Sequence, residues 1–259
     1  MIGIIGFGRF GKLTAMYLSE DFDVLVFSRS DRSKEIELTG ARAASLGSVC
    51  RQKIVILCVP ISALKSVLSE IGPLLKEDAV VADVCSVKVY PCRWMKTLLP
   101  DGVSILATHP MFGPDSAADS LEGCKIFLNP VRMDKIIYQE IKTYLASKKL
   151  AIMESTPEDH DEQIAVSLAL THFIGRTLSE FGARHLGMDT EGYKRLLHIL
   201  EVVEHDTWQL FCDMHRYNPY AQEKRAALIK AMQKISDQLL HANETENLNT
   251  DNLNQEPIE

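Results

Sequence analysis

Three glycines near the amino terminus have the spacing of a phosphate-binding turn. An apolar run, Ile2 to Ile5, leads into Gly6-x-Gly8-x-x-Gly11, and a segment that can form a helix follows at once. In such a turn the first glycine permits the tight bend, the second lets the backbone approach a pyrophosphate, and the third lets the helix pack closely on the strand. The helix N-terminus offers free N–H groups to the phosphates. Rather than a glycine turn without a ligand, we therefore predict a dinucleotide site made by Gly6, Gly8, Arg9, Phe10 and Gly11.

The residues after the second predicted strand indicate which dinucleotide is bound. NAD is favoured by an acid about 20 residues after the glycines, where it binds the ribose 2′-hydroxyl. This chain has Ser28 there, followed by Arg29 and Ser30. A hydroxyl beside a guanidinium would bind a 2′-phosphate through charge-assisted hydrogen bonds, so we predict NADP, with Arg32 able to assist. In the alternative interpretation, Asp31 is the ribose acid and Arg29 is only a surface charge.

Further polar residues follow predicted strands on the same side as the glycine turn. In an open parallel sheet, ligands lie beyond the carboxyl ends of the strands, so Val59 and Pro60 should border the cofactor. Two later strands are followed by the segments 83–88, DVCSVK, and 108–115, THPMFGPD. A histidine at a strand end is by itself as readily structural as catalytic. Beside a nicotinamide, however, a neutral His109 could remove the hydroxyl proton while a carbinol is oxidised.

Three charged or polar residues share one face of a predicted helix after residue 156. Asp161, His172 and Arg176 are separated by eleven and four residues, and at about 100° per residue they lie close together on the helical projection. A buried face with these groups is costly unless they pair or bind a ligand. We expect this face to hold an anionic substrate. The alternatives are an exposed polar edge between two helices, or a structural Arg176 that pairs with Asp161.

The order of the predicted elements indicates the fold class. Strand-like runs alternate with helical stretches up to about residue 156, which is typical of an α/β protein with a mostly parallel sheet, and runs after Ser104 could include antiparallel edge strands. Only helical periodicity follows, beginning at the capping residue Thr156. We predict a Rossmann-type domain at 1–156, an all-helical domain at 157–241 and a disordered tail at 242–259. The apolar content of the helical part predicts a symmetric homodimer.

Composition narrows the class of protein. The chain has 259 residues, a formal net charge of −7, 46% hydrophobic and 24% charged residues, as in soluble globular proteins. The net charge argues against nucleic-acid binding, and no apolar run reaches the length of a membrane span. Six scattered cysteines without a CxxC pair argue against a metal site or a disulfide framework. Because the first strand leaves no room for a targeting segment, we expect a cytoplasmic location without a membrane partner.

Six short segments carry a resemblance to a known family. In chain order they read GFGRFG, SRSDRS, DVCSVK, HPMFGP, LTHFIGR and DMHRYNP. Together they resemble the prephenate/arogenate dehydrogenase family of tyrosine biosynthesis, and especially its NADP-using arogenate type. The resemblance covers residues 1 to about 235, and members of this family dimerise through their C-terminal helices.

The resemblance implies oxidative decarboxylation of arogenate to tyrosine, of prephenate to 4-hydroxyphenylpyruvate, or both. Hydride leaves ring carbon C4 for the nicotinamide, the C4 hydroxyl loses its proton and the ring carboxylate departs as CO₂. By motif, His109 accepts the proton, Ser86 orients the hydroxyl and the nicotinamide, and Asp115 lies near the mouth of the site. With the cationic and helical residues added, the predicted substrate-binding residues are Lys88, Asp115, Asp161, His172 and Arg176.

One departure from the family pattern bears on the substrate. Many NAD-type prephenate dehydrogenases have an arginine in the helix after the LTHFIGR segment that binds the side-chain carboxylate, whereas this chain has His198 there. The difference favours arogenate, whose side chain carries an amine as well as a carboxylate.

Two other functions fit a dinucleotide-binding chain with a helical second domain. One is a dehydrogenase of β-hydroxyacids or imines, but such enzymes usually have a lysine where this chain has His172 and Arg176. The other is a non-catalytic NADP(H)-binding redox sensor. The joint presence of Ser86, His109 and His172 argues against the sensor.

Overall fold

The computed structural model describes the backbone of residues 1–253 and the side chains of residues 1–242. Its first part is a sheet with the strands β1 Ile2–Ile5, β2 Val24–Phe27, β3 Arg42–Ala43, β4 Ile54–Leu57, β5 Val80–Asp83, β6 Ser104–Pro110, β7 Lys125–Arg132 and β8 Ala151–Glu154. They lie side by side in the order β3-β2-β1-β4-β5-β6-β7-β8. Neighbours are parallel except for β6 and β7, which are antiparallel.

Helices cover both faces of this sheet. They are α1 Arg9–Ser19, α2 Ser33–Glu37, α3 Leu46–Cys50, α4 Ile61–Ile71, α5 Val89–Leu98 and α6 Lys135–Ser147, with a 3₁₀ turn at Gly72–Leu74. Helices α3, α4 and α5 bury one face of the central strands, and α1 and α2 pack on the other face of β1 and β2. Strands β1 and β5 are buried along their whole length, which explains their almost continuous apolar sequences.

The second part of the chain is helical. Helix α7 Pro157–Ile164 continues through a π-helical segment, Ala165–Leu170, into α8 Thr171–Phe181, and α9 Glu191–Glu204, α10 Trp208–Arg216 and α11 Ala221–Leu253 follow. Thr156 caps α7 by accepting a hydrogen bond from the N–H of Asp159 at 3.1 Å. A π-helical turn contains more residues than an α-helical turn. The prediction that Asp161 and His172 share one face assumed a regular α-helix, and therefore does not apply across this π-helical segment.

The mixed α/β class with a helical C-terminal region is confirmed. Each predicted strand overlaps an observed one, and the largest difference is at β7, which was predicted to end at Leu128 and continues to Arg132. The antiparallel pairing expected after Ser104 exists, but the partner strand β7 is interior and the edge strand β8 is parallel to it. Helix α11 runs to Leu253, so the structure has helix where a disordered tail was predicted from residue 242, and residues 254–259 lie outside the described part. The division into two domains at residue 156 stays a prediction.

No helix within residues 1–253 combines the length and apolarity needed to cross a lipid bilayer.

Candidate active site

The glycine turn after β1 leaves open space at one position. Gly6 has a φ of +102°, and a Cβ there would lie 2.2 Å from the carbonyl oxygen of Cys58. A Cβ on Gly11 would lie 2.3 Å from the carbonyl oxygen of Gly6. The fold itself thus requires both glycines, whereas a Cβ on Gly8 would meet no atom within 4 Å. Gly8 caps α1 without a side-chain hydrogen bond, so the turn is an uncapped helix N-terminus with room for a pyrophosphate.

Two other predicted cofactor residues border this turn. The Cγ1 atom of Val59 would be 3.2 Å from a Cβ on Gly6, and Pro60 is the N-cap of α4. Both follow the carboxyl end of β4, next to β1 in the sheet. Phe10 faces Phe112, with ring centroids 6.0 Å apart.

Arg9 links three segments at the edge of the site. Its Nη2 atom donates to both carboxylate oxygens of Asp115 at 2.7 and 2.8 Å, and its Nη1 atom donates to the carbonyl oxygen of His205 at 2.9 Å. The His205 ring lies 3.3 Å from Asp115. Hydrogen bonding from Arg9 lowers the pKa of the Asp115 carboxyl. Asp115 therefore lies where the α/β part meets the connection between α9 and α10.

The residues after β2 differ in whether their side chains already form hydrogen bonds or ion pairs within the protein. Within the described part of the chain, the side chains of Ser28, Arg29 and Ser30 form no hydrogen bond or ion pair. Asp31, in contrast, accepts hydrogen bonds from the N–H and hydroxyl of Ser33 at 3.1 and 2.7 Å. The Arg32 guanidinium is paired with the Glu35 carboxylate and lies over the Phe7 ring. Three of these side chains are thus free for a ligand, while Asp31 and Arg32 are engaged.

His109 and Ser86 lie at the carboxyl ends of neighbouring strands. Asp83 of β5 is in register with Ala107 of β6; His109 follows Ala107 by two residues and Ser86 follows Asp83 by three. His109 is 6% exposed. The hydroxyl of Ser86 is buried and has no hydrogen-bond partner. A buried polar group left unpaired costs about 1–3 kcal/mol, and this hydroxyl is available to hydrogen-bond a ligand.

A chain of hydrogen bonds supports the His109 ring. Its Nδ1 atom lies 2.9 Å from Nε2 of His160, and Nδ1 of His160 lies 2.8 Å from Oδ1 of Asp161. Asp161 also accepts from the backbone N–H groups of Lys88 at 2.7 Å and Val89 at 2.8 Å. The first helix of the helical part therefore reaches into the α/β part and contacts the predicted base.

Burial keeps His109 neutral near pH 7. Desolvation lowers the pKa of His109 well below its usual value, and the nearby His160 ring and Lys88 ammonium lower it further. Burial also lowers the pKa of His160, although the Asp161 carboxylate acts in the opposite direction. A neutral imidazole can accept a proton, so the environment suits general-base chemistry.

Two predicted substrate-binding residues have structural roles instead. Lys88 is fully buried, and its ammonium donates to the Asp83 carboxylate and the Thr108 carbonyl. Burial is the largest single influence and lowers the pKa of Lys88, but Asp83, Cys85 and Cys92 together raise it above its usual value. Asp161 is also fully buried, and both of its oxygens are used within the protein. Because both groups are fully buried and bonded within the protein, substrate has no access to them in this structure.

His172 and Arg176 carry buried polar atoms without partners. These are Nδ1 of His172 and Nε of Arg176. The remaining groups bind the α9–α10 connection: Nε2 of His172 is 3.7 Å from the Asp206 carboxylate, and Nη2 of Arg176 donates to the Asp206 carbonyl. Arg176 also lies over the Trp208 ring at 5.9 Å. Both residues are thus anchored to this connection and keep one group available for a ligand.

Arg225 and a neutral histidine, His215, were not predicted from the sequence and lie near His172. An Nη1 atom of Arg225 lies 3.1 Å from Nδ1 of His215, whose Nε2 atom is buried without a partner. Burial, Arg225 and His172 together lower the pKa of His215 to about 4. His215 stands inside the quoted segment DMHRYNP, which is the only sequence signal for it.

Among the described side chains, no group of three His, Cys, Asp or Glu residues could hold a metal ion.

Comparison with known proteins identifies the family. A family model described as the nucleotide-binding domain of prephenate dehydrogenase matches residues 27–154, and one described as a TYRAAT1-like C-terminal domain matches residues 177–252. The chain is 32% identical over 248 residues to arogenate dehydrogenase 2, chloroplastic, of Arabidopsis thaliana, covering 92% of this chain and 69% of that relative. The chain belongs to the prephenate/arogenate dehydrogenase family.

Other members of the family are similar over smaller shares of their length. Arogenate dehydrogenase 1, chloroplastic, of the same plant is also 32% identical, over 92% of this chain and 39% of that relative. A probable arogenate/prephenate dehydrogenase of Methanocaldococcus jannaschii is 28% identical, over 88% and 54% respectively. The chain thus spans between 39% and 69% of the length of these three relatives.

Solved structures of family members share the fold. Prephenate dehydrogenase from Aquifex aeolicus, in complex with hydroxyphenyl propionate and NAD+, matches with a TM-score of 0.75 and 20% identity over 97% of this chain and 96% of that one. Arogenate dehydrogenase of Synechocystis matches with a TM-score of 0.66 and 23% identity over 97% and 99%. At these identities the likeness establishes the common fold and no finer property.

Proposed function

We propose that this chain catalyses the NADP-dependent oxidative decarboxylation of arogenate, with prephenate as a second substrate. The proposal depends mainly on His109 and Ser86, which follow neighbouring strands. His109 is buried and neutral, and the buried hydroxyl of Ser86 has no hydrogen-bond partner. Both lie at the carboxyl ends of the parallel strands, on the same side of the sheet as the glycine turn that would bind a dinucleotide. Similarity to proteins named arogenate dehydrogenase supports the same reaction.

In this reaction the residues of the chain orient the ring and remove one proton. A nicotinamide, when bound, would supply the acceptor for the hydride that leaves C4. The Ser86 hydroxyl would hydrogen-bond the C4 hydroxyl, and His109 would take its proton, so that a carbonyl oxygen develops at C4. The electron pair of the breaking bond to the ring carboxylate stays in the ring, CO₂ departs, and aromatisation drives the step. The C4 oxygen becomes a phenolate and would take the proton back from His109, which gives the phenol. General-base catalysis of this kind typically contributes about 10²–10⁴-fold to a rate.

The choice of NADP rests on the residues after β2. Ser28, Arg29 and Ser30 have no protein partner, which suits a 2′-phosphate that would supply one. The competing ribose acid, Asp31, already accepts two hydrogen bonds from Ser33, and hydrogen bonding from Ser33 lowers the pKa of its carboxyl. In the proposed complex, the pyrophosphate lies over Gly8, and Val59 and Pro60 line the cofactor.

The anionic groups of the substrate need hydrogen-bond donors, at least one of them cationic. We assign the cation to Arg176 and a further hydrogen bond to the neutral His172 ring, because the buried Nε of Arg176 and Nδ1 of His172 have no partner. Asp115, which Arg9 holds at the edge of the site, would form part of the mouth through which substrate enters. The preference for arogenate follows from His198, an exposed residue that stands where NAD-type members have an arginine.

We further propose that the protein is a homodimer joined by its helical part. Several large apolar side chains of this part are exposed, and those of α11 recur at helical spacing on one side of the helix. A two-fold interface would bury them. Light scattering of the chain cut after Ala242 should still give a dimer, whereas a monomer at micromolar concentration would contradict the proposal. These exposed side chains include Phe181, Leu196, Val202, Trp208, Ile229, Met232, Ile235 and Leu239.

The cytoplasmic location stays a prediction. All six cysteines are free thiols, as expected in a reducing compartment.

The deciding experiment measures formation of the reduced cofactor by absorbance. The purified chain is mixed with NADP or NAD and with arogenate, prephenate or a β-hydroxyacid. We expect turnover with arogenate and NADP, weaker turnover with prephenate, and none with the β-hydroxyacid. Turnover of the β-hydroxyacid alone, or of no substrate despite NADP binding, would contradict the proposed function.

A further inference from the structure

The His109 ring has a neighbour that can determine which of its nitrogen atoms carries the proton. His160 is 4% exposed, and its ring stands nearly perpendicular to that of His109, with centroids 5.1 Å apart and an angle of 77° between the planes. The Phe127 ring packs against His160, with centroids 4.4 Å apart. His160 is therefore held in a fixed orientation, with one nitrogen towards His109 and the other towards Asp161.

The direction of each hydrogen bond follows from the carboxylate at the end. Asp161 accepts two backbone N–H groups, from Lys88 and Val89, as well as Nδ1 of His160. An ionised carboxylate can only accept, so Nδ1 of His160 carries a hydrogen. In a neutral ring the Nε2 atom of His160 is then an acceptor, and Nδ1 of His109 must donate to it.

This order of donors leaves one nitrogen of His109 free to act as a base. With the hydrogen on Nδ1, the Nε2 atom of a neutral His109 carries a lone pair. If His160 were protonated, its Nε2–H would donate to Nδ1 of His109 and force the hydrogen of His109 onto Nε2, which would then be unable to accept a proton. The charged groups facing the two rings are Asp161, Asp83 and the Lys88 ammonium. Burial keeps His160 neutral, because it lowers the pKa of that ring.

We propose that His160 and Asp161 are positioning residues that fix His109 in the tautomer with a free Nε2 and stabilise it once it has accepted a proton. The inference rests on the proposed role of His109 as the general base. Neither residue would touch substrate. The arrangement also explains why Asp161 is buried at the start of the helical part: the same carboxylate orients His160 and binds the N-terminus of α5, the helix that follows the Ser86 loop.

The first test reads the tautomer directly. In protein labelled with ¹⁵N-histidine, the nitrogen chemical shifts of His109 should show a hydrogen on Nδ1 and none on Nε2, without any substrate present. In Asp161→Ala, the acceptor that holds the hydrogen on Nδ1 of His160 is lost, so the direction of both hydrogen bonds is no longer fixed and part of the His109 hydrogen should move to Nε2. A wild-type His109 with its hydrogen on Nε2, or no change in the variant, would overturn the proposal.

The second test separates positioning from folding by kinetics. His160→Leu should lower kcat by about 100-fold, within the usual range for general-base catalysis, with little change in KM or in NADP affinity. His160→Gln has an oxygen that can accept from His109 and an amide that can donate to Asp161, so it should recover at least about tenfold of the kcat lost in His160→Leu. The acid limb of the kcat profile should shift in both variants, because His160 no longer titrates.

The matched control is Asn218→Ala. Asn218 donates to the backbone carbonyl of Asp161 at 2.7 Å, so its loss loosens the same residue without changing the hydrogen bonds to His160. We expect near wild-type kcat and an unshifted pH profile. If His160→Leu keeps the wild-type kcat and profile while the wild type oxidises arogenate, the positioning role is wrong and the proposed function stands. If the wild type oxidises neither arogenate nor prephenate, the proposed function fails, and the tautomer measurement still decides the positioning role.

Discussion

The polar residues after β2 and those around His109 differ in how their hydrogen bonds are satisfied. The side chains of Ser28, Arg29 and Ser30 form no hydrogen bond or ion pair in the described part of the chain. His109 and His160, in contrast, belong to a buried chain of hydrogen bonds: His109 is bonded to His160, and His160 is bonded to Asp161. The first region can change cofactor preference at little cost in stability, whereas the second is built before any ligand arrives. Substitutions after β2 should therefore change cofactor preference, whereas substitutions around His109 should change turnover.

The largest expected effect is on turnover, from His109→Asn. Because a general base typically contributes about 10²–10⁴-fold, kcat with arogenate should fall by that factor, while the Kd for NADP changes little. The exposed His185→Asn serves as a control and should leave both values unchanged. Near-normal turnover in His109→Asn would remove this residue from the mechanism.

The next largest effect is on cofactor preference, from the double change Ser28→Asp and Arg29→Ala. A carboxylate would repel the 2′-phosphate, and each charge-assisted hydrogen bond lost is worth about 1.5–3 kcal/mol. The ratio of kcat/KM for NADP to that for NAD should fall by about tenfold to 100-fold or more, with the melting temperature unchanged. Arg42→Ala removes an exposed arginine at the same edge of the sheet and should not alter the ratio. A wild-type enzyme that already prefers NAD would show that the 2′-phosphate assignment is wrong.

A moderate effect is expected from Arg176→Lys, which keeps the charge but loses the forked geometry of the guanidinium. KM for substrate should rise by about tenfold, the equivalent of one weakened charge-assisted bond, with kcat less affected. Arg184→Lys, on an exposed arginine, is the control. Arg176 also contacts Asp206 and Trp208. A lower melting temperature together with weaker NADP binding would assign it a structural role instead.

The smallest effect concerns stability against pH. Burial lowers the pKa of four histidines, to about 4 for His215, so the unfolded chain binds protons below pH 6.5 that the folded chain does not. The stability contributed by their neutral forms is fully present above about pH 6.5 and is lost as pH falls towards the folded values. The four residues are His109, His160, His172 and His215.

Calorimetry between pH 7.5 and 4.5 measures this loss as a falling melting temperature, at roughly 2–4 °C per kcal/mol for a chain of this size. His215→Phe removes one titrating ring from between Phe173 and Phe211 and should make the fall shallower. A wild-type melting temperature that is independent of pH across this range would contradict the assignment of neutral buried rings.

Local sequence signals predicted the elements that depend on neighbouring residues. The glycine turn, the strand-end position of His109 and the cap at Thr156 follow from spacing alone, because each involves residues a few positions apart. Helices α2, α3 and α5 and strand β3 were not predicted. Three of these four elements are only two to five residues long and carry little periodicity, and α5 begins with a mixed run that contains Pro91.

The partners of the buried polar residues depend on tertiary packing and could not be predicted from the sequence. Helical spacing suggested that Asp161 faces the substrate, and the position of Lys88 near Ser86 suggested the same for that cation. Neither signal could show that the partners of these two charges lie within the protein. Lys88 pairs with Asp83 only because the loop after β5 folds back on the strand. His160 meets His109 because α7 packs on the sheet, a contact between residues 51 positions apart. The π-helical segment shifts the register after Ile164, which no pattern of apolar residues signals.

The position of Asp161 on α7 has a consequence for recombining this enzyme with its relatives. The change from sheet to helix after Glu154 is the obvious crossover point for exchanging a cofactor-binding half. A chimera cut there would join one parent's His109 to the other parent's His160 and Asp161, and would place a foreign carboxylate at the N-terminus of α5. The unit that can be transplanted intact therefore extends through Ile164, so that the reaction's proton path is inherited from a single parent.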